Sequence, residues 1–278
     1  MARFTPLLLA GILLAGLCSC GGPGADSPEE VTIAVIPKGT THIFWESVHA
    51  GAIKASVELD VSVRWVGPEK EDDRQQQIAV VDNQVLNRVS GIVLAPLDAR
   101  ALRRPVRDAV SRDVPVIIID SALDDSEEVY TSFIATDNYQ GGRIAGREMG
   151  KSLGGSGRVV LLRYMEGSAS TNNREQGFLD ALKEFPDITV VSDEQYSGAT
   201  RAQGQQASEN LLIRFKDAQG SLTVNGIFCP NASSTYGMLQ ALRRHRLAGE
   251  VTFIGFDSDD PLIEALERGE IAGLVIQN

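Results

Sequence analysis

Polar and aromatic side chains follow the predicted strands of this chain, where each short apolar run ends. Carboxylates and amides form paired hydrogen bonds with vicinal hydroxyl groups, and aromatic faces pack on the C–H face of a pyranose or furanose ring. The combination predicts a site for a neutral, polyhydroxylated small molecule. The candidate ligand-binding residues in this pattern are Lys38, His42, Phe44, Trp45, Asp120, Thr136, Arg174, Asn231, Asp257 and Gln277.

Short β-branched runs alternate with amphipathic stretches from Val31 onwards, and near-continuous apolar runs are typical of strands buried on both faces of a parallel sheet. We predict strands at 31–37, 61–66, 91–95, 114–120 and 133–135, then at 158–163, 188–196, 226–229, 251–256 and 272–276. We predict helices at 45–59, 72–87, 99–112 and 138–153, then at 171–185, 200–215, 233–246 and 260–268.

Two successive series of strands and helices predict an α/β fold of two Rossmann-like lobes, each a doubly wound and mostly parallel sheet. The N-terminal lobe is expected over residues 31–136 and the C-terminal lobe over residues 137–277. Because ligands of open α/β sheets bind beyond the carboxyl ends of the strands, the residues that follow each strand are the candidates for a site.

The charge balance and the rare residue types exclude several classes of function. With 37 acidic and 26 basic residues, the net charge of −11 disfavours a nucleic-acid partner. Three cysteines exclude a disulfide scaffold, and three separated histidines predict no metal site and no cofactor. The sequence shows no nucleophile–base pair, so we expect no enzyme. Gly141–Gly142 lacks the context of a phosphate loop and is interpreted as a pair of packing or turn glycines.

The first twenty residues predict a secretory signal peptide, with Arg3 before an apolar run that ends at Leu17. Leu17–Cys18–Ser19–Cys20–Gly21 resembles a bacterial lipobox, in which Cys20 is the best placed residue for lipidation. An ordinary cleaved signal with incidental cysteines is the alternative. Residues 21–30 predict a flexible tether. We therefore expect an extracytoplasmic protein, in the periplasm or at the cell surface, that is attached to the membrane by its N-terminal lipid.

Several candidates also have an ordinary structural explanation. Phe44 and Trp45 are either core residues or ligand contacts, and Asp120 and Asn231 are either helix caps or ligand contacts. The charge run 69–74 (EKEDDR) is interpreted as a solvated loop and the start of a helix.

From Thr32 to Asn278 the chain resembles bacterial periplasmic sugar-binding proteins of the ribose/galactose type, the solute-binding components of ABC importers. The stretches that carry the resemblance are TIAVIPKGTTHIFWESVHAGA, GIVLAPLDARAL, VPVIIIDSAL, FIATDNYQGGRIAG, GSASTNNREQGFLDAL, NGIFCPNASSTYGML, TFIGFDSDD and IAGLVIQN. The resemblance implies two lobes joined by crossing segments, with a ligand cleft between them and hinge closure around the ligand.

The resemblance also implies roles for individual residues. It places sugar-stacking aromatics at Phe44 and Trp45, with Lys38 and His42 as polar neighbours; the other implied ligand contacts are Asp120, Asn231, Asp257 and Gln277. An arginine of the ribose type falls on Asn172, so Arg174 is either a ligand contact or structural, and an amide of that type falls on Ala95. The sequence departs from the ribose type at these two positions, so the resemblance does not identify the sugar.

The expected partners are a small sugar ligand and an ABC permease, and a monomer is expected. The alternative is a ligand-sensing receptor of the same fold that is coupled to a membrane kinase or a chemoreceptor. The family continues beyond the position of Asn278, so we expect the sequence to be a fragment whose N-terminal lobe is incomplete without a C-terminal segment.

Overall fold

The structure is a computed structural model that describes residues 30–277, and its first sheet has five parallel strands. The strand order is β2-β1-β3-β4-β5, and Ile33 of β1 aligns with both Val63 of β2 and Gly91 of β3. These strands and the helices within residues 43–110 form what we call the first lobe. Its strands are β1 (Thr32–Ile36), β2 (Ser62–Trp65), β3 (Gly91–Leu94), β4 (Val116–Ile119) and β5 (Ser132–Ile134).

The second sheet repeats the topology of the first. It is also parallel, and its order β7-β6-β8-β9-β10 places its strands in the same sequence as those of the first sheet. With the helices within residues 138–267 it forms the second lobe. The fold-class prediction is confirmed. The strands are β6 (Ser156–Arg163), β7 (Asp187–Tyr196), β8 (Gly226–Phe228), β9 (Thr252–Phe256) and β10 (Gly273–Val275).

Eight α-helices connect the strands over the described residues, and most begin at a side chain that accepts a backbone N–H. Thr200 and Gln203 form a complete capping box at the start of α6. None of the helices in residues 30–277 is long and apolar enough to cross a membrane. The helices are α1 (Ile43–Leu59), α2 (Arg74–Leu86), α3 (Arg103–Val110), α4 (Asn138–Ser152), α5 (Ala169–Leu182), α6 (Arg201–Arg214), α7 (Ala232–Arg244) and α8 (Asp260–Glu267).

Helix α3 starts four residues later than the sequence predicts. The Asp98 carboxylate accepts hydrogen bonds from the backbone N–H of Arg100 and of Ala101, both at 2.9 Å, and this holds residues 98–102 in separate turns. A short 3-10 helix at Glu127–Val129 is also absent from the prediction. Both differences come from local side-chain bonding, which the apolar periodicity does not report.

Apolar residues bury the two sheets to different extents. The second sheet has a buried cluster on each face, one that includes Phe178 with Met149 and one that includes Leu239 with Phe253. In β4 of the first sheet, Val116 and Ile118 are buried but the alternate residues are partly exposed. The expected burial on both faces therefore holds for the central strands β8 and β9 of the second sheet, and not for β4 of the first sheet or the edge strand β7 of the second.

Candidate ligand-binding site

The carboxyl ends of the two sheets meet through the segment that follows β6. The backbone N–H of Ala99 donates to the carbonyl of Gly167 at 3.0 Å, and the backbone N–H of Ser170 donates to Oγ of Ser121 at 3.0 Å. Lys38 Nζ donates to Oγ of Ser170 at 2.9 Å. Residues that follow β1, β3 and β4 thus contact the second lobe directly, and the region between them is enclosed by both lobes.

Two adjoining cavities lie between these strand ends. The outer cavity has a volume of about 890 Å3 and lies against the segment that connects the described parts of the two lobes, including Thr136 and Asp137. The inner cavity has a volume of about 30 Å3, which is room for about one water molecule. The residues that line both are Phe44, Trp45, Asp120, Asp257 and Gln277. The inner cavity is also lined by Lys38, His42, Glu71, Tyr164, Ser170, Thr171, Arg174 and Asn231.

Asp120 and Asp257 occupy equivalent positions in the two lobes, each directly after the fourth strand of its sheet. Their backbone φ angles are 62° and 69°, in the left-handed region that Asp tolerates better than most residues. The N–H of Asp120 donates to Ile134 O at 3.0 Å, and that of Asp257 donates to Val275 O at 2.8 Å. The shared topology therefore brings one carboxylate from each lobe to the cleft.

The first of these carboxylates is paired with a buried cation. Asp120 Oδ2 lies 2.8 Å from Lys38 Nζ, and both side chains are almost fully buried. At this distance the carboxylate of Asp120 neutralises the ammonium group of Lys38.

The second carboxylate accepts hydrogen bonds from neutral donors. Asp257 Oδ1 accepts from Gln277 Nε2 at 2.6 Å, and its Oδ2 accepts from the backbone N–H of Ala232 at 2.9 Å. Asn231 caps helix α7, since its Oδ1 accepts from the N–H of Ser234 at 3.2 Å, and it lines the inner cavity as well. Asn231 therefore both caps helix α7 and lines the cleft.

Arg174 is a buried cation beneath the cleft. Its Nε donates to Asn138 Oδ1 at 2.7 Å, its Nη1 donates to the carbonyl of Pro230 at 3.0 Å, and its guanidinium carbon lies 3.9 Å from the centre of the Phe256 ring. Burial lowers the pKa of Arg174, while the charge of Asp257 opposes that shift. These partners hold the guanidinium group in place, which is a structural role. Arg174 also lines the inner cavity, so it is accessible to a ligand.

The aromatic pair and His42 form the wall contributed by the first lobe. Phe44 and Trp45 meet edge to face, with ring centres 5.0 Å apart, and Trp45 is buried. His42 caps helix α1, because its Nδ1 accepts from the N–H of Phe44 at 3.2 Å. An acceptor role for Nδ1 puts the proton of the neutral ring on Nε2. Nε2 is buried without a hydrogen-bond partner among the described residues, so it is a donor available to a ligand.

Sequence reasoning missed four residues of the inner cavity, Glu71, Tyr164, Ser170 and Thr171. Glu71 belongs to the run 69–74, and the expectation of a solvated loop is wrong for it: its carboxylate accepts hydrogen bonds from Nε1 of Trp45 and from the hydroxyl of Tyr164. A signal was present, because residues 67–73 follow β2 and the carboxyl-end rule applies to that strand as well.

The remaining predicted site residues are placed as follows. Asn172 is exposed on α5 and lines neither cavity, so the structure does not bring it to the other candidates, whereas Arg174 lies two residues further in the helix and is buried. Thr136 lines only the outer cavity. Cys20 lies outside the described residues.

Comparisons with known proteins agree with this architecture. The family model of the periplasmic binding protein domain matches residues 33–278. A carbohydrate transporter solute binding protein from Agrobacterium radiobacter, solved in complex with D-arabinose, is 36% identical, with a TM-score of 0.83 over 91% of this chain and 84% of that chain.

Curated relatives are more distant in sequence. The ribose import binding protein of Haemophilus influenzae is 26% identical over 277 residues, which cover 100% of this chain and 88% of that protein. The D-apiose import binding protein of Paraburkholderia graminis is 27% identical over 207 residues, which cover 74% of this chain and 64%, less than two thirds, of that protein. On the match to the family model and on its fold, the chain belongs to the periplasmic binding protein family.

Proposed function

We propose that this protein binds a neutral monosaccharide, or a related polyol, between its lobes and delivers it to an ABC importer outside the cytoplasm. The observation that carries the proposal is the inner cavity, where carboxylates, amides and aromatic rings from both lobes converge. Asp120 from one lobe and Asp257 from the other are placed to accept hydrogen bonds from hydroxyl groups, and the Phe44–Trp45 pair offers a ring face.

The charge of the inner cavity favours a neutral ligand. Among the described residues that line it, Glu71, Asp120 and Asp257 are carboxylates, while Lys38 and Arg174 are cations. Lys38 is already paired with Asp120, and Arg174 is held by neutral partners. An anionic ligand would enter an enclosed site with a net negative charge, where repulsion is weakly screened. Sugar acids and sugar phosphates are therefore expected to bind poorly.

The inner cavity alone holds about one water molecule, and a monosaccharide is several times larger, so a ligand there either extends into the adjoining outer cavity or displaces the lobes. Groups from both lobes contact a ligand only when the lobes are together. A ligand that has more contacts in the closed arrangement shifts the population towards it. The closed surface is then the form presented to the permease.

The relatives support a sugar ligand. The solved structure from Agrobacterium radiobacter holds D-arabinose, and the relative from Haemophilus influenzae is a ribose import binding protein. The names of these relatives concern import and solute binding, which supports a binding function rather than a catalytic one.

A thermal-shift screen with matched neutral and anionic ligands tests the proposal. D-ribose is paired with ribose 5-phosphate, and D-galactose is paired with D-galacturonate, within a panel of pentoses, hexoses and polyols. A ligand at a hundredfold excess over its Kd stabilises the folded protein by about 2.7 kcal/mol, which raises the Tm by several degrees. We expect at least one neutral sugar to raise the Tm. Stabilisation by the acids alone would contradict the charge argument, and no stabilisation by any panel member would contradict the sugar ligand.

We further propose that the mature protein is a lipoprotein anchored through Cys20. The support is the sequence alone: Leu17 precedes Cys20 by three residues, Ser19 and Gly21 flank it, and a Gly/Pro/acidic tether follows. A lipid at Cys20 would hold the binding lobes beside a membrane.

Cell fractionation tests the anchor. Cys20→Ala is expected to move the protein from the membrane fraction to the soluble extracytoplasmic fraction and to abolish incorporation of labelled fatty acid. Cys18→Ala is the matched control, because it removes the neighbouring thiol and leaves the proposed lipidation site intact. Membrane fractionation of Cys20→Ala at the wild-type level would contradict the assignment.

A further inference from the structure

We propose that Glu71 is a positioning residue whose carboxylate latches the two lobes together, because it joins Trp45 of the first lobe to Tyr164 of the second. The inference rests on the proposed function in one respect, that the cleft between the lobes is the ligand site. It adds Glu71, from the charged loop after β2, to the residues that stabilise the closed arrangement of the lobes.

The geometry of the latch is a single carboxylate with two partners. Oε1 of Glu71 accepts a hydrogen bond from the indole Nε1 of Trp45, and Oε2 accepts one from the hydroxyl of Tyr164. Glu71 lies in the loop after β2, and Tyr164 lies directly after β6. One carboxylate therefore connects the aromatic wall of the first lobe to the sheet of the second.

The protonation states support this assignment of donors and acceptor. Burial, followed by the nearby Glu71 carboxylate, raises the pKa of Tyr164 well above its ordinary value. The phenol is therefore protonated at neutral pH and donates, and the indole N–H of Trp45 is only a donor. Hydrogen bonds from neutral donors to a carboxylate are stronger than those between neutral groups, and more so away from water.

Backbone hydrogen bonds fix Tyr164 within the second lobe. Tyr164 therefore cannot move with Glu71 independently of that lobe. Its backbone N–H donates to Oε1 of Glu175 at 3.1 Å, and its carbonyl accepts from the N–H of Gly198 at 3.1 Å. The residue is buried. Movement of the Tyr164 hydroxyl away from Glu71 therefore requires movement of the second lobe.

Besides the buried contacts of Ser170 with Lys38 and Ser121, two further contacts between the lobes lie at the solvent-exposed rim. Arg74 Nη2 donates to the carbonyl of Glu166 at 2.9 Å, and Gln203 Nε2 donates to Oδ2 of Asp72 at 3.4 Å. Exposed pairs of this kind contribute little to stability because water competes for both partners. The Glu71–Tyr164 bond is enclosed in the cleft and carries a charge, so it is expected to contribute more to closure than the rim contacts.

Hydrogen–deuterium exchange of the full chain without added sugar tests the latch. The amides of Ala99 and Ser170 are suitable reporters, because each donates its hydrogen bond across the lobes. Tyr164→Phe removes the hydroxyl and keeps the ring, and it is expected to speed exchange of both amides about tenfold. Tyr196→Phe is the matched control, since the Tyr196 hydroxyl contacts Arg163 within the second lobe.

Two variants of Glu71 separate the latch from a general packing effect. Glu71→Ala removes both hydrogen bonds and is expected to match Tyr164→Phe at the two reporter amides. Glu71→Gln can accept from Trp45 and donate to the Tyr164 oxygen, so it should restore most of the protection. Failure of Glu71→Gln to protect more than Glu71→Ala would overturn the inference.

The remaining outcomes also decide the question. Exchange at Ala99 and Ser170 that is equal in the wild type and Tyr164→Phe overturns the latch, and so does faster exchange throughout β8 and β9, which would indicate general destabilisation. Because no sugar is present, the result does not depend on the ligand. A failed sugar screen with accelerated exchange in Tyr164→Phe would reject the proposed ligand class and leave the latch standing.

Discussion

A carboxylate in the left-handed backbone region ends the fourth strand of each lobe. At Asp257 this backbone turns the chain sharply after β9, and the side chain then accepts from Gln277 and from the N–H of Ala232. Asp and Asn adopt this conformation more readily than other residues with a side chain. The left-handed backbone at position 257 therefore favours a short polar side chain. Accepting two hydrogen bonds in the cleft requires the negatively charged carboxylate.

Asp257→Asn separates these two requirements. Asparagine keeps the backbone conformation and the size of the side chain, but one acceptor oxygen becomes an NH2 group that faces another donor. We expect ligand binding to weaken by about 10- to 100-fold, the range for lost hydrogen bonds to a charged group. Isothermal titration calorimetry with a sugar identified in the thermal-shift screen measures the change in Kd.

Asp113→Asn is the matched control for this substitution. Asp113 has a φ of 61° and is exposed after helix α3, outside both cavities. Its Kd should equal that of the wild type. A Kd for Asp257→Asn within twofold of the wild type would remove the charge of Asp257 from the binding site.

Individual site residues were predictable to the extent that strand ends identify them. The rule that ligands lie beyond the carboxyl ends of strands selects Asp120 and Asp257, and the structure places both in the cleft. Glu71 was missed because charged neighbours on both sides make its segment look solvated. The exposure of Asn172 depends on the rotation of α5 about its axis, which motif position alone does not fix.

At the scale of elements, helices α4 and α5 approach each other at glycines. A Cβ built on Gly142 would lie 1.9 Å from the carbonyl oxygen of Arg174, and one built on Gly177 would lie 2.1 Å from that of Tyr139. No side chain fits in these gaps. The close approach positions the α5 backbone from which Arg174 reaches the cleft, so the interpretation of Gly142 as a packing glycine agrees with its contacts.

Gly142→Ala is expected to destabilise the protein by about 2–3 kcal/mol, since the helices must separate to admit one methyl group. Urea unfolding followed by circular dichroism measures the loss as a lower midpoint. The same separation should shift Arg174 and weaken ligand binding.

Gly51→Ala is the control at a glycine in helix α1. Apart from its chain neighbours and the surrounding backbone of α1, no atom of the described residues lies within 4 Å of the position that its Cβ would take. Alanine has the higher helix propensity, so this variant should be unchanged or more stable by up to about 1 kcal/mol. An unchanged urea midpoint for Gly142→Ala would contradict the tight packing of α4 on α5.

The apolar periodicity predicts the positions of the helices and strands well, and it predicts their first and last residues less well. All ten strands and eight helices predicted from the sequence are present in residues 30–277. The late start of α3 reflects the hydrogen bonds of Asp98 to the next turn. The local competition between a side-chain cap and a helical turn decides such ends, and a periodic pattern contains no information about it.

At the scale of the whole molecule, contacts between the lobes were beyond prediction from sequence. Tyr164 and Glu71 lie 93 positions apart and follow strands of different sheets. The strand order could be inferred from the alternating pattern, but the side chains that meet across the cleft depend on the relative orientation of two separately folded sheets. Only the structure supplies that orientation.

The same region contains a buried acid that links global stability to pH. Glu175 is buried behind Tyr164, and Arg163 Nε lies 3.6 Å from its Oε2. Burial raises the pKa of Glu175 to about 7 from an ordinary value of 4.5, and the N–H of Tyr164 and the charge of Arg163 reduce the shift without reversing it. The folded protein therefore holds a proton that the unfolded chain releases between these two values.

The sign of the pH dependence follows from this difference in bound protons. As the pH rises from 4.5 to 7, Glu175 removes stability on the order of 3 kcal/mol, because the unfolded state binds fewer protons. Glu175→Gln mimics the protonated acid, so its free energy of unfolding relative to the wild type should rise by that amount between pH 4.5 and pH 8. Urea unfolding across this range measures the difference.

Glu184→Gln should show the opposite trend. Glu184 is exposed, and its hydrogen bond with Arg147, followed by the charges of Arg147 and Arg143, lowers its pKa. The folded state then favours the ionised form, so the wild type gains stability over Glu184→Gln as the pH rises. The pKa values of the two glutamates shift in opposite directions. A pH trend in stability that both variants share would therefore reflect the loss of any carboxylate and not the environment of Glu175. A difference between Glu175→Gln and the wild type that stays constant with pH would show that Glu175 ionises in the folded protein as it does in the unfolded chain.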